Sequence, residues 1–435
     1  MRSRTQIIYI WLLLVPFLAL IEIGFGILEL VANKGLYLGG SFINSGPSAC
    51  FLACTVPLTI RMYRGKRNKI IRDIALLICV GDAILIPLSL SRTAIIALVV
   101  ALAISFFPEL KVYGSKKALR KRHVVMTIVI TAVFATALVM LKPASAFGRF
   151  FIWKVTLSLF SQIPFDGVGW EFIESTYNNA QEAYFQVHPN SELEMSIAGS
   201  TNYLFNDFLS CAIAYGIYGV VISVAMFIAA VTLTMKHRQW EMLAGVCSFG
   251  VVMCGSYPLS CPQFIILGFV LWAGVFMLFS SKIISTIMIL LSTGVFYILL
   301  QNIKDNNEYG RWLYSAIAWH EQGKYEDSNR ILIEYLGPRV ADVRILYLIG
   351  RNYQAMGQVD SAEYYYMRSI LRVPSRHYPH YLLMNLYRET NRDSLALKEA
   401  AYLLEQPPKV QSQAIEDMKL EAASYIHYLD SYCDD

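Results

Sequence analysis

The chain has 435 residues, of which 56% are hydrophobic and only 16% are charged, and its mean hydropathy is +0.45. This composition is too apolar for a soluble protein of this length, so it predicts a membrane protein. The formal net charge of +5 does not indicate a nucleic-acid partner, because the basic residues cluster between apolar runs, where they set membrane orientation.

Nine apolar segments predict nine membrane crossings. The first is too long for the core of a signal peptide, so we interpret it as a retained span. Several segments are shorter than the roughly 20 residues that a perpendicular helix needs, so the pairs around Ser91 and Ser260 are expected to be tilted or partly re-entrant. The nine segments are residues 7–31, 47–60, 70–90, 93–108, 123–141, 204–235, 241–260, 262–280 and 283–301.

The charges between these segments predict which loops are cytoplasmic. Residues 61–72 carry six basic side chains and residues 116–122 carry five, so both loops are expected inside. Residues 142–203 carry six acidic side chains against three basic ones, so this loop is expected outside. Nine crossings from an inside N-terminus also place the C-terminal tail outside.

The tail is charged and rich in tyrosine, and it repeats with a period of 34 residues, the length of a tetratricopeptide repeat. In the middle copy, small residues stand where two antiparallel helices would approach closely, and bulky residues stand where they would fill the space between the helices. These residues are Leu346, Ile349, Gly350, Tyr353, Gly357, Ala362, Tyr366, Ser369 and Pro374. A generic helical bundle is the alternative, but two further copies in register favour the repeat, which indicates a binding surface rather than chemistry.

The predicted fold class is therefore all-α, with a polytopic transmembrane bundle of about nine spans followed by a small tetratricopeptide solenoid. The domain division is residues 1–301 for the membrane domain, with the external loop 142–203, and residues 302–435 for the repeats. The three copies lie near residues 309–342, 343–376 and 377–410, and a capping helix follows them.

Five short motifs occur in a fixed order along the membrane part and its loop. Each alone is a string that apolar chains produce by chance, so their order and placement are the informative features. They are Gly40 to Pro47, Ser91-Arg92-Thr93-Ala94, Gly148-Arg149 with Trp153, Gly167-Val168-Gly169, and Asn206-Asp207-Phe208-Leu209 ten residues ahead of Gly216-Ile217-Tyr218-Gly219.

With these motifs the chain resembles the O-antigen ligase and polymerase family over about residues 39–220. That family comprises membrane glycosyltransferases that use undecaprenyl-diphosphate-linked sugars at the outer face of the bacterial inner membrane. The resemblance implies that Arg92 and Arg149 bind the donor's diphosphate and stabilise the charge that develops on it, without a metal or cofactor. These two guanidinium groups are then expected to converge on one pocket.

Snorkelling toward water is the alternative role for two of the cations. A guanidinium between two apolar runs must snorkel or bind an anion, and an interface residue that only snorkels is the less favoured alternative for Arg92. Lys154 is a third candidate cation, for which snorkelling is favoured. Ser91, Trp153, Gly167, Gly169 and Asn206 complete the expected substrate-binding set, and for the two glycines a plain loop bend is an equal alternative to a tight turn at the site.

The expected general base is missing from its position. In the family a histidine usually precedes the motif's asparagine, but here Phe205 precedes Asn206. His188, the only histidine of the predicted external loop, and Asp207 are the substitute candidates. A solvated loop histidine and a helix-capping carboxylate are the respective alternatives.

The resemblance thus implies a metal-independent glycosyltransferase of the bacterial inner membrane that transfers or polymerises a glycan at the periplasmic face, as in lipopolysaccharide biosynthesis. Its expected partners are a polyprenyl-diphosphate-linked glycan, the lipid bilayer and an unidentified protein bound by periplasmic repeats, with no nucleic acid. The alternative is a non-catalytic membrane scaffold, which the missing histidine favours and the two arginines disfavour. A transporter would require an internal symmetry that the sequence lacks.

Overall fold

The computed structural model describes residues 2–32, 39–65, 68–108, 143–189, 191–301, 306–335, 342–408 and 411–433. Within these ranges every regular element is a helix, which confirms the all-α fold class. The span predicted at 123–141 and the basic loop at 116–122 lie outside the described residues. The chain divides into two compact units, the first formed by residues 1–143 and 204–303 and the second by residues 144–203 and 304–435.

The α-helices are numbered along the described chain. The first half contains α1 (Arg2–Leu12), α2 (Leu14–Ala32), α3 (Ser45–Arg64), α4 (Lys69–Leu88), α5 (Arg92–Ser105), α6 (Pro143–Ser158), α7 (Ile173–Val187), α8 (Glu192–Ile197) and α9 (Asp207–Lys236). The second half contains α10 (Trp240–Gly255), α11 (Pro262–Phe276), α12 (Lys282–Gln301), α13 (Asn306–Glu321), α14 (Tyr325–Tyr335), α15 (Val343–Ala355), α16 (Val359–Arg372), α17 (His377–Glu389), α18 (Asp393–Glu405) and α19 (Gln413–Cys433).

The first unit has the helix lengths and surfaces of a membrane bundle. Among the described residues, Ile7–Ala32, Asp207–Lys236 and Lys282–Gln301 are long and apolar enough to cross a membrane, whereas α5, α10 and α11 are apolar but shorter. On α12 the small Ser285 and Ser292 are buried while Leu290 is 64% exposed. Small residues facing the bundle and large apolar ones facing outward are typical of helices surrounded by lipid. The number of crossings stays a prediction.

Two ends of this bundle can be distinguished by their contacts. At one end, Thr93 at the start of α5 donates from Oγ1 to the carbonyl of Gly255 at the end of α10, at 3.1 Å. At the other, Arg64 at the end of α3 donates to the carbonyl of Ser105, at 3.2 Å, and pairs with Glu241, at 3.0 Å. Helices α3 and α5 therefore run parallel and α10 runs opposite to them. We call these the Ser91 end and the Arg64 end.

Helix α9 is interrupted near the Ser91 end. Gly216 has φ 56° and ψ −140°, outside the helical region, so the first turns of α9 form a separate segment. A Cβ on Gly219 would lie 2.1 Å from the carbonyl oxygen of Cys211, so a larger residue would not fit there. The two glycines of the Gly-Ile-Tyr-Gly motif thus permit a kink that residues with side chains would resist.

The second unit contains three described helix pairs from the tail, α13 with α14, α15 with α16 and α17 with α18, and α19 packs on the last pair. Corresponding helices α15 and α17 begin at Val343 and His377, 34 residues apart. Ala362, Tyr366 and Leu383 are fully buried in the core between the pairs. The tetratricopeptide assignment itself stays a prediction.

The second unit also contains the loop helices α6, α7 and α8, and α7 packs against α16 of the tail. The sequence-based division assigned loop 142–203 to the membrane domain, whereas the contacts group residues 144–203 with residues 304–435. The loop and the tail are therefore parts of one folded body.

Candidate functional site

Arg92 is the first residue of α5, at the Ser91 end of the first unit. Ser91 has extended backbone, and its Oγ accepts from the backbone N–H of Ala94 at 3.4 Å, as a helix N-cap does. Arg92 is intermediate in exposure. Because the N-terminus of a helix carries partial positive charge, the guanidinium and the helix dipole at this position both favour an anion.

The motif from Gly40 to Pro47 lies beside Ser91 and is held in place by a buried carboxylate. Glu22 of α2 is 2% exposed and accepts from the hydroxyls of Ser41 and Ser48, each at 2.5 Å. Gln263 of α11 donates to the carbonyl of Ser41 at 2.8 Å. Glu22 therefore binds neutral donors from the loop before α3 and from the first turn of α3 itself.

Asn206 and Asp207 have different structural roles at the start of α9. Asn206 is the N-cap, since its Oδ1 accepts from the N–H of Leu209 at 3.1 Å. Asp207 does not cap α9. It is 1% exposed, and its Oδ2 accepts from the backbone N–H of Leu259 at 2.6 Å, which fixes the short turn between α10 and α11. Phe205, at the position where the family resemblance leads one to expect histidine, packs its ring edge-to-face against Tyr257, with centroids 5.5 Å apart.

The turn from Gly255 to Cys261 connects these motifs, and sequence reasoning missed its importance. Its Tyr257 contacts Phe205 and accepts from Nδ2 of Asn44 at 3.2 Å, while its Gly255 accepts from Thr93. The available signal was the pair Pro258 and Pro262, which interrupts an otherwise continuous apolar run because proline breaks helices. Through this turn, Ser91, Arg92, Asn206 and Asp207 share one end of the first unit.

A cavity of about 260 Å³ lies between α9, α10, α11 and α12. Its walls are apolar and aromatic, and they include Cys211, Leu259 and Phe296. Cys211 follows Asp207 by one helical turn, and Leu259 donates to Asp207, so the cavity adjoins the site at the start of α9.

In the second unit, α6 carries Arg149, Trp153 and Lys154. Arg149 is intermediate in exposure, and Trp153 packs edge-to-face on Phe150, with centroids 5.5 Å apart. Nζ of Lys154 donates to Glu194 at 2.7 Å and to the hydroxyl of Tyr184 at 2.8 Å. The hydrogen bonds with Glu194 and Tyr184 raise the pKa of Lys154. Lys154 is thus already paired within the loop.

His188 lies at the exposed end of α7. Its ring stacks on Tyr184, with centroids 4.3 Å apart, and Nδ1 lies 3.0 Å from the carbonyl of the same residue. Gly167 and Gly169, between α6 and α7, have φ values of 85° and 93°. Gly167 donates to the carbonyl of Pro164 at 3.0 Å, so a tight turn is formed there. The convergence of Arg149 and Arg92 stays a prediction, since they belong to different units.

Residues 74–224 match the family model described as O-Antigen ligase. This part of the chain belongs to the O-antigen ligase family. The matched region includes every site residue that the sequence predicted, from Ser91 to Asp207. Searches of curated proteins and of solved structures found no match to the chain.

The O-antigen ligase region and the apolar helices identify an integral membrane protein. Membership of this family indicates glycan transfer of the O-antigen ligase kind and implies a lipid-linked glycan as substrate. Among the described residues, both inside and outside the ligase region, no group of three or more His, Cys, Asp or Glu side chains is arranged to hold a metal ion.

Proposed function

We propose that the protein transfers or polymerises a glycan from an undecaprenyl-diphosphate-linked donor at the periplasmic face of the bacterial inner membrane. The observation that carries the proposal is the O-antigen ligase match over residues 74–224, which includes both Arg92 and Arg149. Arg92 at the N-terminus of α5 adds physical support, because a diphosphate at the headgroup plane needs cationic donors at that depth.

In this proposal, Arg92 and Arg149 bind the diphosphate oxygens and stabilise the negative charge that grows on them as the sugar–phosphate bond breaks. The apolar cavity beside Asp207 supports a lipid-linked donor, since it offers space for part of an isoprenyl chain next to the site. Ser91 and Asn206 shape the helix N-termini around the diphosphate rather than react with it.

Two observations support an external site. The Arg64 end of the first unit carries Arg61, Arg64, Lys69 and Arg72, and such basic ends favour the cytoplasm, so the Ser91 end faces the opposite side. Loop residues 144–203 and tail residues 304–435 form one compact unit, so both lie on one side of the membrane. Four helices, α9 to α12, separate them along the chain, and an even number of crossings returns the chain to the same side.

Burial distinguishes the two candidate bases. Asp207 is 1% exposed and bound to Leu259, so it lacks access to an acceptor hydroxyl and acts as a positioning group for the Gly255 to Cys261 turn. His188 is exposed at the end of α7, and we assign proton removal to it. The tetratricopeptide tail would bind a protein partner or the acceptor near the site and raise its local concentration.

A second candidate is a membrane scaffold that binds a lipid-linked glycan without transferring it. The observation that favours it is Phe205, whose ring packs on Tyr257 where the family resemblance leads one to expect a base.

Deletion of the gene and electrophoresis of surface polysaccharide separate the two candidates. We expect full-length glycan to be lost on deletion and restored by the wild-type gene and by Arg72→Ala, an exposed cation at the Arg64 end. Arg92→Ala and Arg149→Ala should fail to restore it. Glycan that persists after deletion contradicts the enzyme, and full rescue by both alanine variants at the site contradicts the roles of the arginines.

A further inference from the structure

We infer that the C-terminal tail positions the loop helix that carries Arg149, and that Arg372 and Glu182 are the positioning residues. The inference rests on the proposed function, in which Arg149 binds the donor diphosphate, and deepens it by naming residues that act on the site without touching substrate. It also gives the tail a role inside the enzyme, in addition to binding a partner.

The contact between α7 of the loop and α16 of the tail centres on a buried arginine. Arg372 is 1% exposed, and its Nη2 lies 2.6 Å from Oε2 of Glu182 and 2.6 Å from Oδ1 of Asn179. Arg368, one turn earlier, donates from Nε to the other oxygen of Glu182 at 2.6 Å. One loop carboxylate thus binds two tail guanidinium groups in a largely dry interface, where such bonds are strong and geometrically specific.

Neutral hydrogen bonds fix the same interface on both sides of the ion pairs. Nε2 of Gln181 donates to the main-chain carbonyl of Arg372 at 2.5 Å, and its Oε1 accepts from Tyr177 at 2.8 Å. Ser375, just after α16, donates to the carbonyl of Ala198 at 3.0 Å. Gln181 also donates to the carbonyl of Gly199 within the loop, at 3.2 Å, whereas the buried Glu182 accepts from Arg368 and Arg372 of the tail. Removing the tail arginines would therefore leave a buried carboxylate of the loop without its cationic partners.

Helix α7 in turn sets the position of α6. Phe151 of α6 packs against the rings of Tyr184 and Phe185 of α7, with centroids 5.5 Å apart in both pairs. Lys154 of α6 donates to Tyr184 at 2.8 Å. Arg149 precedes Phe151 by two residues on the same helix. A continuous set of contacts therefore connects Arg372 of the tail to the helix of the diphosphate-binding arginine.

A double-mutant cycle with Arg149→Ala and Arg372→Ala, in the full-length protein with a polyprenyl-diphosphate-linked glycan, tests the connection. A misplacement of about 1 Å can cost roughly 100-fold in rate. We expect Arg372→Ala to lower the transfer rate by roughly that factor in wild type and to cause little further loss in the Arg149→Ala background. Multiplying losses would mean that Arg372 affects the protein independently of Arg149 and would overturn the inference.

Arg392→Ala is the matched control, since Arg392 pairs with Glu363 at 2.7 Å within the tail and leaves α7 untouched. It should change the rate less than about threefold, because the ion pair that it removes is partly exposed and lies within the tail. Where Arg372→Ala does not accumulate in membranes, Arg368→Ala is used, because it keeps the Arg372–Glu182 pair and weakens the same interface.

Hydrogen exchange of α6 in the purified protein gives a readout that does not depend on activity. Exchange of residues 143–158 should quicken in Arg372→Ala or Arg368→Ala and stay unchanged in Arg392→Ala. Unchanged exchange in the α16 variants overturns the inference. Faster exchange in a protein whose wild-type form transfers no glycan leaves the structural connection intact and contradicts the proposed function instead.

Discussion

The buried carboxylates Glu22, Asp207 and Glu182 have different kinds of hydrogen-bond partner in the two units of this protein. In the first unit, Glu22 and Asp207 are almost fully buried and accept hydrogen bonds from hydroxyls and a main-chain N–H. In the second unit, Glu182 is buried to a similar degree and binds two arginines. The first kind of acid fixes a turn, whereas the second fixes two segments that are 190 residues apart along the chain.

The difference follows from the surroundings of each unit. A guanidinium among lipid-facing helices would have to be desolvated at great cost, whereas hydroxyls and N–H groups are supplied by the chain itself. A unit that meets water on its outer surface can keep arginines with their charged ends in a polar interface. Glu22 and Asp207 therefore hold a loop and a turn within the bundle, whereas Glu182 connects the loop to the tail.

The largest expected effect is on the second unit. Glu182→Ala leaves the buried Arg372 without its carboxylate, so we expect the loop and tail contact to lose roughly 3–5 kcal/mol. Arg392→Ala, which removes the more exposed ion pair with Glu363, should cost about 1 kcal/mol. Hydrogen exchange of α7 and α16 in the purified protein measures both, and equal losses would mean that burial does not distinguish the two pairs.

Arg92→Ala should have the next largest effect, and on rate rather than on stability. Loss of one preorganised donor to a developing negative charge costs about 10²–10³ in rate. Arg92→Lys should recover only part of it, because an ammonium cannot donate in the bidentate manner of a guanidinium. Transfer from a polyprenyl-diphosphate-linked glycan by purified protein measures this, and full activity of the lysine variant would show that only the charge matters.

Asp207 tests whether a buried carboxylate of the first unit serves only to accept a hydrogen bond from a neutral donor. Asp207→Asn keeps an oxygen for the N–H of Leu259, so we expect near-normal stability and glycan transfer. Asp207→Ala leaves that N–H without an acceptor and should cost about 1–3 kcal/mol. Thermal unfolding and glycan transfer are measured together. A stable Asp207→Asn protein without transfer would make Asp207, rather than His188, the base.

The smallest expected effect concerns the pair of Lys154 and Glu194. Partial burial raises the pKa of Glu194, but the hydrogen bonds from Lys154 and Tyr184 lower it by a larger amount. The net shift of the pKa is therefore downward from 4.5. The pKa of Lys154 is raised from 10.5. The stabilisation is therefore complete between about pH 4.5 and 10.5, is lost as pH falls through the lowered pKa of Glu194, and is lost again above the raised pKa of Lys154.

Because this pair is well exposed, its contribution should stay below about 1 kcal/mol. Thermal unfolding of the wild type and of Glu194→Gln at pH 7 and below pH 4 measures it. The two proteins should differ slightly at pH 7 and converge in acid, and a difference that persists in acid would contradict the assignment to ionised Glu194.

Local features were predictable from sequence because they depend on neighbouring residues. The apolar runs marked the helices, and Ser91 and Asn206 stand where short polar side chains cap them. The contact between Glu182 and Arg372 was not predictable, because no local pattern identifies which distant helix satisfies a buried carboxylate. For Asp207, the neighbouring sequence favoured a capping role, whereas tertiary contact with Leu259 decided its position.

The contact between α7 and α16 has a consequence for how the protein is made. Glu182 leaves the ribosome 190 residues before Arg372, which corresponds to roughly 10–40 s at ordinary rates of translation. During that interval the polar face of α7 has been synthesised and its binding helix has not. A chain that terminates early, before residue 359, would carry the whole O-antigen ligase match and still lack the helix that completes its loop.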